Sequence, residues 1–377
     1  MSSTDLAILA AIKAGNILDG VSTDYLSESR DESTIAAIVF VTCLTSIVVA
    51  ARCFSRTFLA HRFGTDDSLI LLSMLLFVIF IALCIVLIHM GSGRHYEYIK
   101  YVMSMNMQTV ENTETIDFTA HLIYASALFV CRLSGLAFYY SICSLHDEFL
   151  LAIKIVSGIF LVTYLLRMLL IIFHCMPVTS LWPYIWPPDS HKYTCIQWSL
   201  VYCTNSAVSL ISDLFLFGIP STMLYILTLS RKRKIQLAGI LLPGILVIAI
   251  SIDRLILVVK GQWEFDMSWS YNPMLGIEVT EIGATIIYLS FPGYKPLFDK
   301  LRDRKKDSRK SGDVDMALRT TGGLRPNGSM VASRRVRVQP QDDFDSSELE
   351  DSASTDGILV KEDFKAKEED AGQPPTQ

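Results

Sequence analysis

The chain has 377 residues, 51% of them hydrophobic and 19% charged, with a mean hydropathy of +0.38 and a formal net charge of −5. That length would hold two or three soluble domains, but the apolar content excludes a soluble chain, and no nucleic-acid partner is expected. The average conceals a sharp division. Nearly all apolar residues lie between Ser33 and Tyr294, and beyond them the sequence is polar, charged and almost free of aromatics. The expected fold is an all-α membrane protein, a seven-transmembrane helix bundle with a disordered C-terminal tail. Its parts are an extracellular segment over 1–32, the membrane domain over 33–295 and a cytoplasmic tail over 296–377.

In chain order, the first apolar run, Leu6 to Ile12, is flanked by Asp5 and Lys13 with no basic segment ahead of it. It is too short for a secretory signal peptide, so the first spanning helix is expected to act as its own insertion signal. A spanning helix needs about twenty apolar residues, because the hydrocarbon is roughly 30 Å thick and a helix rises about 1.5 Å per residue. Seven stretches qualify: 33–54, 68–90, 118–143, 150–175, 198–230, 235–259 and 275–294. Basic residues in short loops stay on the cytoplasmic side during insertion. Arg52, Arg56 and Arg62 follow the first stretch, Arg231-Lys232-Arg233-Lys234 follow the fifth, and Lys295 to Lys310 follow the seventh. The amino-terminal segment and the loop with Glu97, Glu111, Glu114 and Asp117 are acidic instead. Count and charge agree on an external amino terminus and a cytoplasmic tail, with the plasma membrane as the expected location. On that topology the sequon Asn327-Gly328-Ser329 stays bare.

An ionisable residue at the middle of a spanning helix costs about 2.5–3.5 kcal/mol on the insertion scale, so each needs a reason. On the fifth helix Tyr202, Ser206, Ser209 and Asp213 share one face, and on the seventh Glu278, Glu281, Thr285 and Tyr288 form a similar stripe. The counter-charges are Arg132 on the third helix, Arg167 on the fourth and Arg254, beside Asp253, on the sixth. Alternating helix directions put Arg167, Arg254, Glu278 and Glu281 at similar outer depths. A polar pocket open to the outside, with Arg132, Arg167, Asp213, Arg254, Glu278 and Glu281 as ligand candidates and His121 as a contributor, is one reading. Buried ion pairs that fix helix packing are the other.

Eight cysteines fall mostly inside apolar stretches, where the ordinary role is a small buried hydrophobe. Cys175 and Cys195 instead bracket a predicted external loop, in a compartment that tolerates disulfides, and either a bridge or two free thiols fits. No spacing suggests a metal site, and no catalytic residue is assigned. Pro220, Pro243-Gly244 and Pro292-Gly293 can kink or end their helices. After the last span, Lys300 to Lys306 is a basic stretch suited to anionic inner-leaflet lipid. The serines of Asp345-Ser346-Ser347-Glu348 are phosphorylation candidates in an acidic context.

Several short motifs occur in a specific order. Arg62-Phe63-Gly64-Thr65-Asp66-Asp67 precedes the second helix, Gly91-Ser92-Gly93-Arg94-His95 forms a turn after it, and Arg132-Leu133-Ser134 is followed by Phe138-Tyr139-Tyr140. The fourth helix ends in Phe173-His174-Cys175-Met176-Pro177, with Trp182 and Cys195 beyond. With Asn205, Asp213, Pro220, the Arg231–Lys234 cluster, Arg254, Glu278 and Pro292, the chain resembles the fungal rhodopsin-like integral membrane proteins from Ser33 to Leu301. That family includes membrane proteins of the satratoxin mycotoxin cluster and Pth-type receptor-like proteins. Arg132 stands where the family usually has lysine, which keeps the charge and changes its geometry. No cysteine precedes Cys43, so the CFEM domain of some receptor-like relatives is absent from this sequence. A retinal protein needs a lysine inside the seventh helix, and none occurs from Leu275 to Tyr294, so no retinal cofactor is expected.

Three functions fit. A receptor-like sensor would bind a small extracellular molecule and signal through the basic inner loop and tail to a cytoplasmic partner. A transporter or accessory of secondary-metabolite biosynthesis is the second, suggested mainly by the resemblance. A membrane-embedded enzyme using Asp213 or a glutamate as acid is the third.

Overall fold

The computed structural model describes residues 3–17, 21–59, 63–142, 147–176, 194–226, 231–263 and 266–294. The expected tail, with its basic stretch, sequon and acidic serines, lies outside the described residues. Two short helices, α1 (Ser3–Lys13) and α2 (Thr23–Ser27), precede α3 (Asp31–Phe54), which runs into a π-helical turn, Ser55–Leu59. Then come α4 (Thr65–His89), the short α5 (Tyr96–Tyr101), α6 (Met107–Ile142) and α7 (Asp147–Ile172). The two-residue strands β1 (Cys175–Met176) and β2 (Thr194–Cys195) lead into α8 (Trp198–Ile226), α9 (Arg231–Trp263) and α10 (Tyr271–Ser290). Seven of these, α3, α4 and α6 to α10, are long and apolar enough to cross a bilayer.

The spans of α6 and α10 bury 56% and 61% of their most apolar stretch, against 22–33% for the other five. These two therefore form the axis, and the others turn apolar side chains outward. On α7, Leu151, Ile155, Leu161, Val162, Leu165, Leu166 and Leu169 are all exposed. In water such a surface would be an aggregation liability, whereas lipid solvates it. Close approach at the axis uses small residues: a Cβ at Gly283 of α10 would lie 2.7 Å from Val41 and 2.9 Å from Thr45 of α3.

The third span departs from the sequence reading, because α6 starts at Met107 and carries Glu111, Glu114 and Asp117 inside the helix. Acidic residues bar a segment from hydrocarbon but not from helix, for glutamate and glutamine are good helix formers. At 36 residues α6 is about 54 Å long, well beyond the roughly 30 Å of hydrocarbon.

One end of the bundle is fastened by Arg52, and we call it the clasp. Its guanidinium donates to Asp67 Oδ1 at 2.8 Å, Asp66 Oδ2 at 2.7 Å and the Leu289 carbonyl at 2.6 Å, while only 2% exposed. The hydroxyl of Ser134 donates to the Asp66 carbonyl at 2.8 Å and that of Ser55 to the Gly293 carbonyl at 3.1 Å. One buried cation thus ties α3, α4 and α10, and Ser134 adds α6. Asp67 also accepts from the Gly64 N–H at 3.1 Å, which caps the start of α4.

The other end carries a collar. His95 lies between the rings of Tyr25 and Trp269, each 4.0 Å away centre to centre, and its Nδ1 is 2.5 Å from Asp266 Oδ2. Asp31 accepts from Arg94 at 3.2 Å and from Asn272 at 2.8 Å. Gly93 has φ +82°, and a Cβ there would overlap the Asn272 side chain, so the turn before α5 needs glycine. The early apolar run belongs here too: Ile8 and Ala11 of α1 pack with Leu26, Tyr98, Val102, Met103 and Val110. At the same end β1 pairs with β2, and a disulfide joins Cys175 to Cys195.

Arg52→Met would strand two buried carboxylates, and we expect a loss of about 3–5 kcal/mol. Arg56 approaches Asp66 at 3.4 Å with a side chain 20% exposed, so Arg56→Ala is expected to cost about 1 kcal/mol or less. Thermal unfolding of both purified variants in one detergent checks the contrast, and equal losses would contradict it.

Candidate functional site

The polar stripes of α8 and α10 face each other across α6 and α9. Ser206, Ser209 and Asp213 on α8 and Glu278, Glu281, Thr285 and Tyr288 on α10 are all buried. Arg132 of α6 donates through Nε to Asp213 Oδ1 at 3.0 Å and through Nη2 to the Ser209 hydroxyl at 2.6 Å. The Ser251 hydroxyl of α9 donates to Asp213 Oδ2 at 2.7 Å. Glu281 accepts from Ser209 at 2.7 Å, from the Tyr124 hydroxyl at 2.5 Å and from Arg254 Nη1 at 3.2 Å. Arg254 Nη2 then donates to Glu278 Oε1 at 3.1 Å, and its guanidinium carbon lies 4.6 Å from the centre of the Tyr124 ring. The result is an unbroken chain: Asp213, Arg132, Ser209, Glu281, Arg254, Glu278.

Five of the six ligand candidates thus come together, but they close on one another. Arg254, Glu278 and Glu281 are 0–1% exposed, and none of the six lines the open cavity at the collar end. Of the two expected arrangements, a pocket open to the outside and ion pairs that fix helix packing, the geometry of these five side chains resembles the second. In a medium without water an unpaired guanidinium or carboxylate is costly, and the mutual pairing of Arg132 and Arg254 with these acids offsets that cost on both sides. Arg167, the sixth, does not join them. It is buried on α7 with its guanidinium 5.9 Å from the Tyr124 ring centre, makes no ion pair among the described residues, and borders, with Arg132 and Ser212, a void of only about 10 Å³. Asp253, next to Arg254, is exposed on the other side of α9.

The open cavity lies one to two helical turns above this chain, at the collar end. It measures about 260 Å³ and is walled by α6, α8, α9 and α10 with the turns around Gly93 and Met267. Met103, Val110, Leu257, Val258 and Met274 supply apolar wall, and Glu114, Asp117, Tyr202 and Tyr271 supply polar groups. Asp117 is where three helices meet. Its carboxylate accepts from the Tyr202 hydroxyl of α8 at 3.3 Å and from the Tyr271 hydroxyl of α10, and His121 Nδ1 lies 3.4 Å away. The ring of His121 packs edge-on against Tyr202 at 4.9 Å.

The sequence reading named His121 and Tyr202 but placed Glu114 and Asp117 in a loop. The missed signal was helical spacing. Glu114, Asp117, His121 and Tyr124 recur at three, four and three residues, one face of a helix leading from cavity to ion-pair chain. Among the described residues no group of three or more His, Cys, Asp or Glu converges to hold a metal ion.

Seven spans, a charged chain sealed in their centre and a cavity at one end define a multi-pass integral membrane protein. The profile of the fungal rhodopsin domain matches residues 51–300, and the chain belongs to that family. It is also similar to a SAT4 family membrane protein of Emericella nidulans, 26% identical over 229 residues that cover 59% of this chain and 55% of that protein. The chain thus spans about half the length of that curated relative. No solved structure matches it significantly.

Removing Arg254 leaves Glu278 without its cation and Glu281 with only Arg132, 3.9 Å away, so Arg254→Met is expected to cost about 3–5 kcal/mol. Arg167→Met removes a buried cation that has no carboxylate partner, and stability is expected to hold or rise. Melting temperatures of the two variants in the same micelles test this; a larger drop for Arg167→Met would refute the assignment of roles.

Proposed function

We propose that the chain is a receptor-like sensor of a small extracellular molecule, lying in the plasma membrane with its collar end outside and its tail in the cytoplasm. The orientation draws on the basic residues that follow α3, α8 and α10. The Cys175–Cys195 bridge at the collar end supports it, since disulfides persist in oxidising compartments. The observation that carries the reading is the position of Asp117, at once wall of the collar cavity and acceptor for hydroxyls from α8 and α10.

An occupant that competes for either tyrosine changes how α6, α8 and α10 are held together. The far end of α10 is fixed through the Leu289 carbonyl to Arg52, so a shift of α10 reaches the clasp. A ligand moves such an equilibrium only by binding one arrangement better than the other, and Asp117 is placed to make that difference. The basic run Arg231–Lys234 and the tail would then meet a cytoplasmic signalling partner. Photochemistry has no place in this scheme, because the seventh span lacks a Schiff-base lysine. Transport or membrane-embedded chemistry in secondary metabolism is the alternative.

Deletion of the gene, followed by metabolite profiling and a growth-response screen, separates these. We expect altered responses with unchanged metabolites, and we expect Asp117→Asn, produced at normal levels, to shift the dose response at least tenfold. An altered pattern of intermediates would overturn sensing in favour of transport or chemistry.

A further inference from the structure

We infer that the collar cavity takes a small organic cation, an apolar body bearing one protonated amine, with Glu114 as its counter-charge. The inference rests on the collar cavity being the ligand site. Among the described residues two charged side chains line that cavity, and both are acids. Asp117 is already engaged by Tyr202, Tyr271 and His121. Glu114, one turn nearer the collar on the same face of α6, lines the cavity and makes no hydrogen bond or ion pair among the described residues.

A carboxylate held in a largely apolar cleft without a donor is costly, and the occupant is the natural source of that donor. The rest of the wall fits the same chemistry. The rings of Tyr202 and Tyr271 suit a cation, the thioethers of Met103, Met267 and Met274 suit an adaptable apolar body, and the hydroxyls of Ser104 and Ser270 can accept N–H bonds. Among the described residues the wall has no Lys, Arg or His, and there an anionic ligand would meet like charge alone. The volume of about 260 Å³ falls just below the usual range for ligand clefts, roughly 300–1,000 Å³, which limits the occupant to a small molecule.

Three probes of one shape and different charge test this on the purified full chain in lipid nanodiscs at neutral pH: phenethylamine, 2-phenylethanol and 3-phenylpropionate, by calorimetric titration. We expect the amine to bind at least tenfold more tightly than the alcohol and the acid to bind least. Glu114→Gln should erase the amine's advantage while the melting temperature stays unchanged, since Glu114 has no protein partner to lose. Ser104→Trp, which places a large ring in the cavity wall, should abolish binding of every probe. If the alcohol binds as well as the amine and Ser104→Trp blocks both, the cation assignment is wrong and the cavity stands as the ligand site. If the preference survives Glu114→Gln, the assignment to that residue is wrong. If no probe binds, or binding persists in Ser104→Trp, the cavity itself falls as the site and the cation with it.

Discussion

Lipid offers no water to a guanidinium, and three of the buried arginines among the described residues are answered by carboxylates from within the bundle, while Arg167 is not. Arg52 is answered by Asp66 and Asp67, Arg132 by Asp213, and Arg254 by Glu278 and Glu281. Each pairing crosses between helices, so each also fixes which helices are neighbours. Apolar contact alone cannot do this in a membrane, because lipid tails compete with leucine on equal terms. The charges therefore specify the arrangement that hydropathy merely permits.

This requirement explains why the polar residues of the centre and those of the cavity differ in kind. The central chain is closed by ion pairs, and Glu281 alone accepts from Ser209, Tyr124 and Arg254, although Glu278 Oε2 and Arg254 Nε keep no hydrogen-bond partner. Toward the collar the pairing relaxes, with Asp117 shared among hydroxyls and Glu114 left open. The change from closed ion pairs to an unfilled carboxylate follows α6 from Arg132 to Glu114 and separates the packed centre of the bundle from the walls of the collar cavity.

Much of this was legible in the sequence, and the reasons for the rest are specific. Hydropathy located seven spans because lipid-facing surface must be continuously apolar, and the α8 and α10 stripes were visible because helical spacing survives in any context. Depth grouped Arg254 with Glu278 and Glu281, which it meets, and equally with Arg167, which does not join them. What depth could not supply was whether facing charges enclose space or fill it, since that depends on side-chain reach: Glu281 and Arg254 meet at 3.2 Å and leave nothing between them. The cavity was hidden for a different reason. Its walls come from four long helices and two turns, and its acids look like loop residues when a helix is assumed to stop where the hydrocarbon does.

That overhang of α6 decides from which phase the cavity is reached. Counting about twenty residues back from the clasp contact at Ser134 uses up the hydrocarbon near Glu114. The first turns of α6, and the collar side of the chamber they wall, therefore stand at headgroup level, while Asp117 at its floor stands within the hydrocarbon. A polar compound dissolved in the surrounding medium can arrive there directly, with no need to partition into the bilayer and slip sideways between helices.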